Sequence, residues 1–311
     1  MSDSNHMPSS VLSSLRPLRL YVEFNGRRPA ASRPIFAFGC LLVLAAQSFA
    51  APPRLIVRGD DMGYSHSGNE AILKCYKEGI ETSIEVIVPS PWFPEAAKML
   101  ADNPGVDVGI HLALTSEWDN VKWRPVSDAA SLRDEEGYFF PMIRPNRNYP
   151  MRALAEHAWK LDEVEREFRA QIELGKRRIP RVSHVSGHMG CTGLAPAVRE
   201  LTRKLTKEYG IDIEPAELGV KSITYAGPKK TVDEKRESFL KALAALDADQ
   251  TYLFVDHPGL DTPELRAIHH IGYEDVAADR QGVTDVWTDP RVREFIRSKG
   301  IELISYRDLK R

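Results

Sequence analysis

The sequence predicts a single α/β domain built on a parallel sheet of about seven strands, and three observations predict it. Apolar, β-rich runs alternate with helical patterns along most of the chain. The segments between the runs are long enough for the crossovers that parallel neighbours need. Histidines and aspartates recur at the C-terminal ends of the runs, the edge of a parallel sheet where α/β enzymes build their sites. An open doubly wound sheet and a closed (β/α) barrel both satisfy these observations. A nucleotide-binding sheet fits less well, because "RGDDMG" after the first run carries acids where an anion site needs bare N–H groups.

Taken in order, "RLIVRGD" reads as the first strand, and "SGNEAILKCYKEGI" follows as a helix with Ile72, Leu73, Tyr76 and Ile80 at helical spacing, closed by Gly79. "ETSIEVIVPS" is the second strand, "PWFPEAAKMLADNPG" a helix stopped by Asn103, Pro104 and Gly105, and "VDVGIHLALT" the third strand. A long irregular segment, 116–150, is rich in proline and aromatics; a helix from about Ala153 to Arg178 follows. The alternation then resumes: strand "RVSHVSGH", helix "APAVRELTRKLTKEYG", short strand "IDIEP", helix "VDEKRESFLKALAALD", strand "TYLFVDHPG", helix "PRVREFIRSKG" and last strand "IELISY".

The 311 residues carry 42 basic against 44 acidic side chains, a net charge of −2, so no basic excess points to nucleic acid as a partner. The first fifty residues differ from the rest. Arg16, Arg19, Arg27, Arg28 and Arg33 precede the apolar run "IFAFGCLLVLAA", and Ser48 and Ala50 give a small-x-small pattern for cleavage after Ala50. Residues 1–50 therefore read as a signal peptide with an extended N-region, and 51–311 as an exported, periplasmic or extracellular domain. The apolar run is too short for a stable span, which takes about twenty residues, so no membrane anchor is expected once the signal is cleaved. Cys75 and Cys191 would remain; they could pair in an oxidising compartment, but nothing in their spacing requires it. A homodimer is compatible with the chain and not specified by it.

The strand ends hold Asp60 and Asp61, His111, His184 and His188, and Asp256 with His257. Each alone has an ordinary explanation, such as a helix cap or a hydrogen-bonded core histidine. Two adjacent carboxylates are harder to excuse, because like charges repel and raise a pKa unless a cation compensates. One carboxylate and two imidazoles form a facial ligand set for a divalent cation with positions left open. The other aspartate is then free to act as a general base on the attacking water, and His257 can protonate a leaving group. The combination suits metal-assisted hydrolysis of an amide or ester.

These segments resemble the YdjC-like (ChbG/YdjC) carbohydrate deacetylases from about Arg54 to Arg307. "LIVRGDDMGYSHSGNEAILKCYKEGIETSIEVIV" is similar to that family's opening strand, double aspartate and first helix; "VGIHLALT" to its glycine-x-histidine strand; "VSHVSGHMG" to its histidine-rich strand; "FVDHPG" to its Cys-His-Pro segment; and "TDPRVREFIRSKGIELISYRDL" to its close. The resemblance implies a distorted (β/α) TIM-like barrel and a metal-dependent hydrolase that removes acetyl groups from N-acetylated sugars such as chitooligosaccharides. It also implies Asp61, His111 and His188 as metal ligands, Asp60 as general base and His257 as acid. The family metal is magnesium or zinc, and two imidazoles favour zinc or another transition ion.

The fourth-strand motif departs from the family's Thr-His-x-Asp-x-His-x-His-x-His: Ser186 stands in place of an aspartate, and Gly190 and Thr192 in place of histidines. Ser186 has no charge with which to orient a ligand histidine. "RGDDMG" also replaces the common Asn-Ala-Asp-Asp-Phe-Gly. His184, Trp118 and Trp123 are candidate substrate contacts, the tryptophans because aromatic faces stack on sugars; Tyr138, Phe139 and Phe140 share their segment, and all of these aromatics could equally pack it onto the domain. His157, His269 and His270 fall outside the strand-end pattern and read as solvated or structural. The departures leave two other readings open: a metal-dependent hydrolase of another amide, ester or phosphoester, and a non-catalytic sugar-binding barrel.

Overall fold

The first strand, β1 (Arg54–Met62), organises the sheet. A computed structural model describes residues 50–310, so the expected signal segment lies outside the described residues apart from Ala50. β2 (Ser83–Val86), β3 (Asp107–Leu112) and β4 (His184–Gly187) extend the sheet on one side of β1; β6 (Thr251–Asp256) and β5 (Lys221–Ile223) extend it on the other. The order is β4-β3-β2-β1-β6-β5, with every pairing parallel. β7 (Glu302–Leu303) pairs with Arg54 and Leu55, on the start of β1.

The path has two free ends, β4 and β5, so the sheet is an incomplete barrel and not a closed one. The expected strand "IDIEP" is irregular and runs into a turn of 3-10 helix at Pro215–Leu218. Its place is taken by β5, only three residues long, which pairs with β6 alone. Proline at 215 lacks a ladder donor and opens that 3-10 turn.

Helices flank the sheet: α1 (His66–Glu78), α2 (Phe93–Ala101), α3 (Leu161–Arg178), α4 (Pro196–Tyr209), α5 (Val232–Ala244), α6 (Pro263–Arg266), α7 (Val276–Thr288) and α8 (Pro290–Ser298). Their ends carry local signals. The Ser65 side chain accepts from Gly68 N at the start of α1, Thr231 and Glu234 form a reciprocal cap on α5, and Gly210 closes α4 at φ 67°. α3 begins eight residues later than expected, after a short 3-10 turn at Leu154–Glu156. α7 has no counterpart among the expected helices.

Alternation along β1 assigns its two faces. Leu55 and Val57 pack with Cys75, Phe239, Phe254 and Trp287 under the helices, while Ile56 packs with Leu253, Ile304 and Tyr306 on the inner face. Cys75 and Cys191 are both buried and unbonded to each other. Among the described residues, no helix is long and apolar enough to cross a membrane.

Candidate active site

Strand alternation would send Asp60 and Asp61 to opposite faces of the sheet. The structure avoids this with an irregularity in β1: the register against β2 shifts between Gly59 and Met62, and Asp61 takes a left-handed φ of 74°. Such a conformation costs a non-glycine residue about 1–3 kcal/mol and concentrates at functional sites. Both aspartates thereby line one cavity of about 410 Å³, within the usual range for small-molecule sites, roughly 300–1,000 Å³.

His111 from β3 and His188 from the turn after β4 complete the cluster. Asp61 Oδ1 lies 3.1 Å from His188 Nδ1 and 3.5 Å from His111 Nε2, yet this buried oxygen has no aligned hydrogen-bond donor. The three side chains offer ligand atoms within 4.8 Å of one another. An orphaned carboxylate oxygen facing two imidazole nitrogens is what a divalent cation would satisfy, so the residues fit such an ion.

Each member of the cluster is fixed from behind. The Arg280 guanidinium, on α7, donates to Asp61 Oδ2 at 2.9 Å and lies against the rings of Tyr64 and Trp118. Its pairing leaves Oδ1 as the free oxygen of Asp61. His188 donates from Nε2 to Glu117 Oε2 at 2.9 Å, so Nδ1 is its inward nitrogen. His111 Nδ1 is 2.6 Å from Ser186 Oγ, and Ser186 donates onward to Glu85 Oε2 at 2.6 Å. The charge missing from Ser186 is thus present one hydrogen bond further on.

Electrostatics follow from these contacts. Burial would raise the Asp61 carboxyl, but the charges of His257, His188 and Arg280 outweigh it and hold the group well below the usual range. Burial lowers His111, with the neighbouring His188 acting in the same direction. Burial would also lower His188, yet Glu117 and Asp61 push it up to about 10, so a cation bound at Nδ1 would displace a proton from that nitrogen. His257 is raised as well, because Asp61 and Asp256 prevail over burial.

Asp60 is only 4% exposed, and Arg58 holds it by two hydrogen bonds, Nε to Oδ1 at 2.7 Å and Nη2 to Oδ2 at 2.9 Å. His257 is different: its side chain is 39% exposed, with Nε2 3.8 Å from Asp61 Oδ2 and Nδ1 3.6 Å from Asp256 Oδ1.

The substrate-contact expectations fare unevenly. Trp118 lines the cavity, and its buried Nε1 has no hydrogen-bond partner. Trp123 is buried and lines an adjoining groove with Pro89, Pro91 and Tyr138 instead. His184 is corrected outright: it is fully buried beneath the site, hydrogen-bonded through Nε2 to Glu85 and stacked on Tyr306, so no substrate can reach it. Phe139 and Phe140 are buried, the latter stacked on His157. His270, expected outside the site, lines the cavity beside Trp118. Arg58, Glu85, Glu117 and Arg280 were not anticipated. Glu85 did leave a signal, a lone charge inside the apolar run "SIEVIV".

A family model described as YdjC-like protein matches residues 54–298. A carbohydrate deacetylase of Thermus thermophilus is 32% identical over 235 residues, covering 69% of this chain and 80% of that protein. One from Geobacillus stearothermophilus is 29% identical over 273 residues, covering 83% and 98%. A crystal structure of an Enterococcus faecalis V583 protein superposes with a TM-score of 0.66 at 22% identity, covering 84% of this chain and 99% of that one, a likeness of fold.

Proposed function

The chain belongs to the YdjC-like family, and on that footing we propose that it is a metal-dependent carbohydrate deacetylase that hydrolyses the acetamide of N-acetylated, chitooligosaccharide-like sugars. The observation that carries the reading is the buried, donorless Asp61 Oδ1 facing His188 and His111 in the same cavity as Asp60. Relatives over most of the chain named carbohydrate deacetylase support the substrate class.

A divalent cation held by Asp61, His111 and His188 would supply Lewis acidity, polarising the acetyl carbonyl and making water there more acidic. Two imidazole ligands favour zinc or another transition ion over magnesium. Asp60, immobilised by Arg58, takes a proton from the attacking water. His257, raised so that it carries its proton, gives that proton to the departing amine as the C–N bond breaks, and acetate and the free amino sugar leave. Trp118 forms part of the wall against the sugar.

Acetate release from N-acetylated chitooligosaccharides, measured before and after chelation, tests the reading. Release that stops on chelation and returns with added zinc or magnesium supports it. Undiminished release after complete metal removal, or no release with any divalent ion, overturns it. Export is proposed from the segment ending at Ala50; mass analysis of the periplasmic and secreted fractions should find a chain beginning at Ala51.

A further inference from the structure

We propose that Glu85 orients His111 and fixes which of its nitrogens carries the proton, acting through the Ser186 hydroxyl, and so prepares His111 Nε2 as a cation ligand. The inference rests on the reading of Asp61, His111 and His188 as ligands. It adds a positioning residue on β2, a strand that contributes no ligand of its own.

A serine hydroxyl has a single proton to give. The Glu85 carboxylate accepts from His184 at Oε1 and from Ser186 at Oε2; burial would raise it, but His184 and Arg58 hold it down to about 2. Ser186 gives its proton to Glu85 Oε2 at 2.6 Å, which leaves Ser186 Oγ as an acceptor toward His111 Nδ1, also at 2.6 Å. The proton of a neutral His111 ring therefore sits on Nδ1. Nε2 is left with its lone pair, facing Asp61 Oδ1 at 3.5 Å.

Glu85 is itself immobilised. Its Oε1 accepts from His184 Nε2 at 2.5 Å, and the His184 ring stacks on Tyr306 with centroids 3.6 Å apart. The sheet register builds the device: Glu85 pairs with Gly109, Gly109 with His184, and in the next row but one His111 pairs with Ser186. Gly109 is required for space, since a Cβ there would lie 2.5 Å from both Glu85 Oε1 and His184 Nε2.

The test uses the full-length mature protein, Ser186→Ala and Glu85→Gln, with two readouts. Nitrogen-15 NMR of the metal-free protein should find the His111 proton on Nδ1 in the parent and redistributed between the nitrogens in Ser186→Ala. Zinc affinity by competition titration should weaken about 10- to 100-fold in either variant, the range for removing a group that orients a ligand. Ser186→Asp in the Glu85→Gln background should restore most of it by placing a carboxylate directly against His111. An unchanged tautomer and zinc affinity within about twofold in Ser186→Ala would overturn the proposal. A Glu85→Gln protein that melts earlier but keeps both readouts would also overturn it, since Glu85 would then be a structural brace only. A parent protein that binds no divalent ion would sink the ligand reading, while the nitrogen spectrum would still decide what Glu85 and Ser186 do to His111.

Discussion

Two walls of the cavity are built to opposite specifications. On the side of β1, β3 and β4, Asp61, His111 and His188 are at most 3% exposed, and each is tied by a second residue: Arg280, Ser186 and Glu117 respectively. On the side of β6, the His257 side chain is 39% exposed and makes only loose approaches of 3.6–3.8 Å to Asp256 and Asp61. The contrast matches the two tasks proposed. Groups that hold a cation gain from rigidity, whereas a group that hands a proton to a departing amine must meet the substrate.

The strongest way to break the contrast is to damage one wall and find the other affected. Asp61→Asn should weaken zinc binding by more than the roughly 100-fold that removal of an orienting group costs, and should abolish turnover. His257→Ala should leave zinc affinity intact while lowering kcat by about 10²- to 10⁴-fold, the usual worth of general acid catalysis. Asp60→Asn, on the cation side but bound to Arg58, should behave like His257→Ala: metal retained, turnover lost by a similar factor. Parallel titrations and steady-state rates on the three variants decide the matter. A His257→Ala protein that loses its metal would erase the distinction between the walls.

A smaller effect is expected of Glu117→Gln, which keeps an acceptor for His188 but removes the charge. Zinc affinity should fall about 10- to 100-fold, with kcat at saturating zinc changed little. If kcat falls instead and affinity holds, Glu117 faces substrate and does not serve His188.

The same contrast explains what the sequence made legible. Asp60, Asp61, His111, His188 and His257 sit at or just past strand ends, which parallel-sheet geometry gathers on one edge, and the family resemblance separated these five from His184 and Asp256. The residues behind them were not legible in this way. Arg280 reaches Asp61 from 219 positions away, on a helix whose buried positions include Arg280, Gly282 and Thr284 and so show no plain apolar stripe. Glu117 lies in the irregular segment, where no periodicity assigns a direction to a side chain. The left-handed turn at Asp61 is equally invisible, because an aspartate in that conformation leaves no mark in composition. For the fold, the parallel direction and six of the seven strands followed from alternation, whereas the fifth strand formed at Lys221–Ile223 and not at "IDIEP", and the sheet ends at β4 and β5 without closing. His184 misled for a related reason: it begins β4, whereas His188 follows the end of that strand, and so it lies beneath the site against Glu85 and Tyr306.

The smallest effect belongs to the proton-handling wall. Tyr225 donates to Asp256 Oδ2 at 2.7 Å, and Asp256 Oδ1 accepts from the His257 backbone N–H at 2.9 Å. Asp256 and Asp61 raise His257 above the ordinary histidine range against the pull of burial. An acid must be protonated, so activity should be full at lower pH and decline as pH rises through this raised pKa, giving an alkaline limb. Tyr225→Phe removes a donor that shares the Asp256 charge, leaving more of it for His257. The limb should therefore move to higher pH, with kcat on its plateau reduced less than about tenfold and zinc affinity unchanged. A limb that moves to lower pH in Tyr225→Phe, or one that is absent in the parent protein, would remove His257 as the acid and leave that wall without a proton donor.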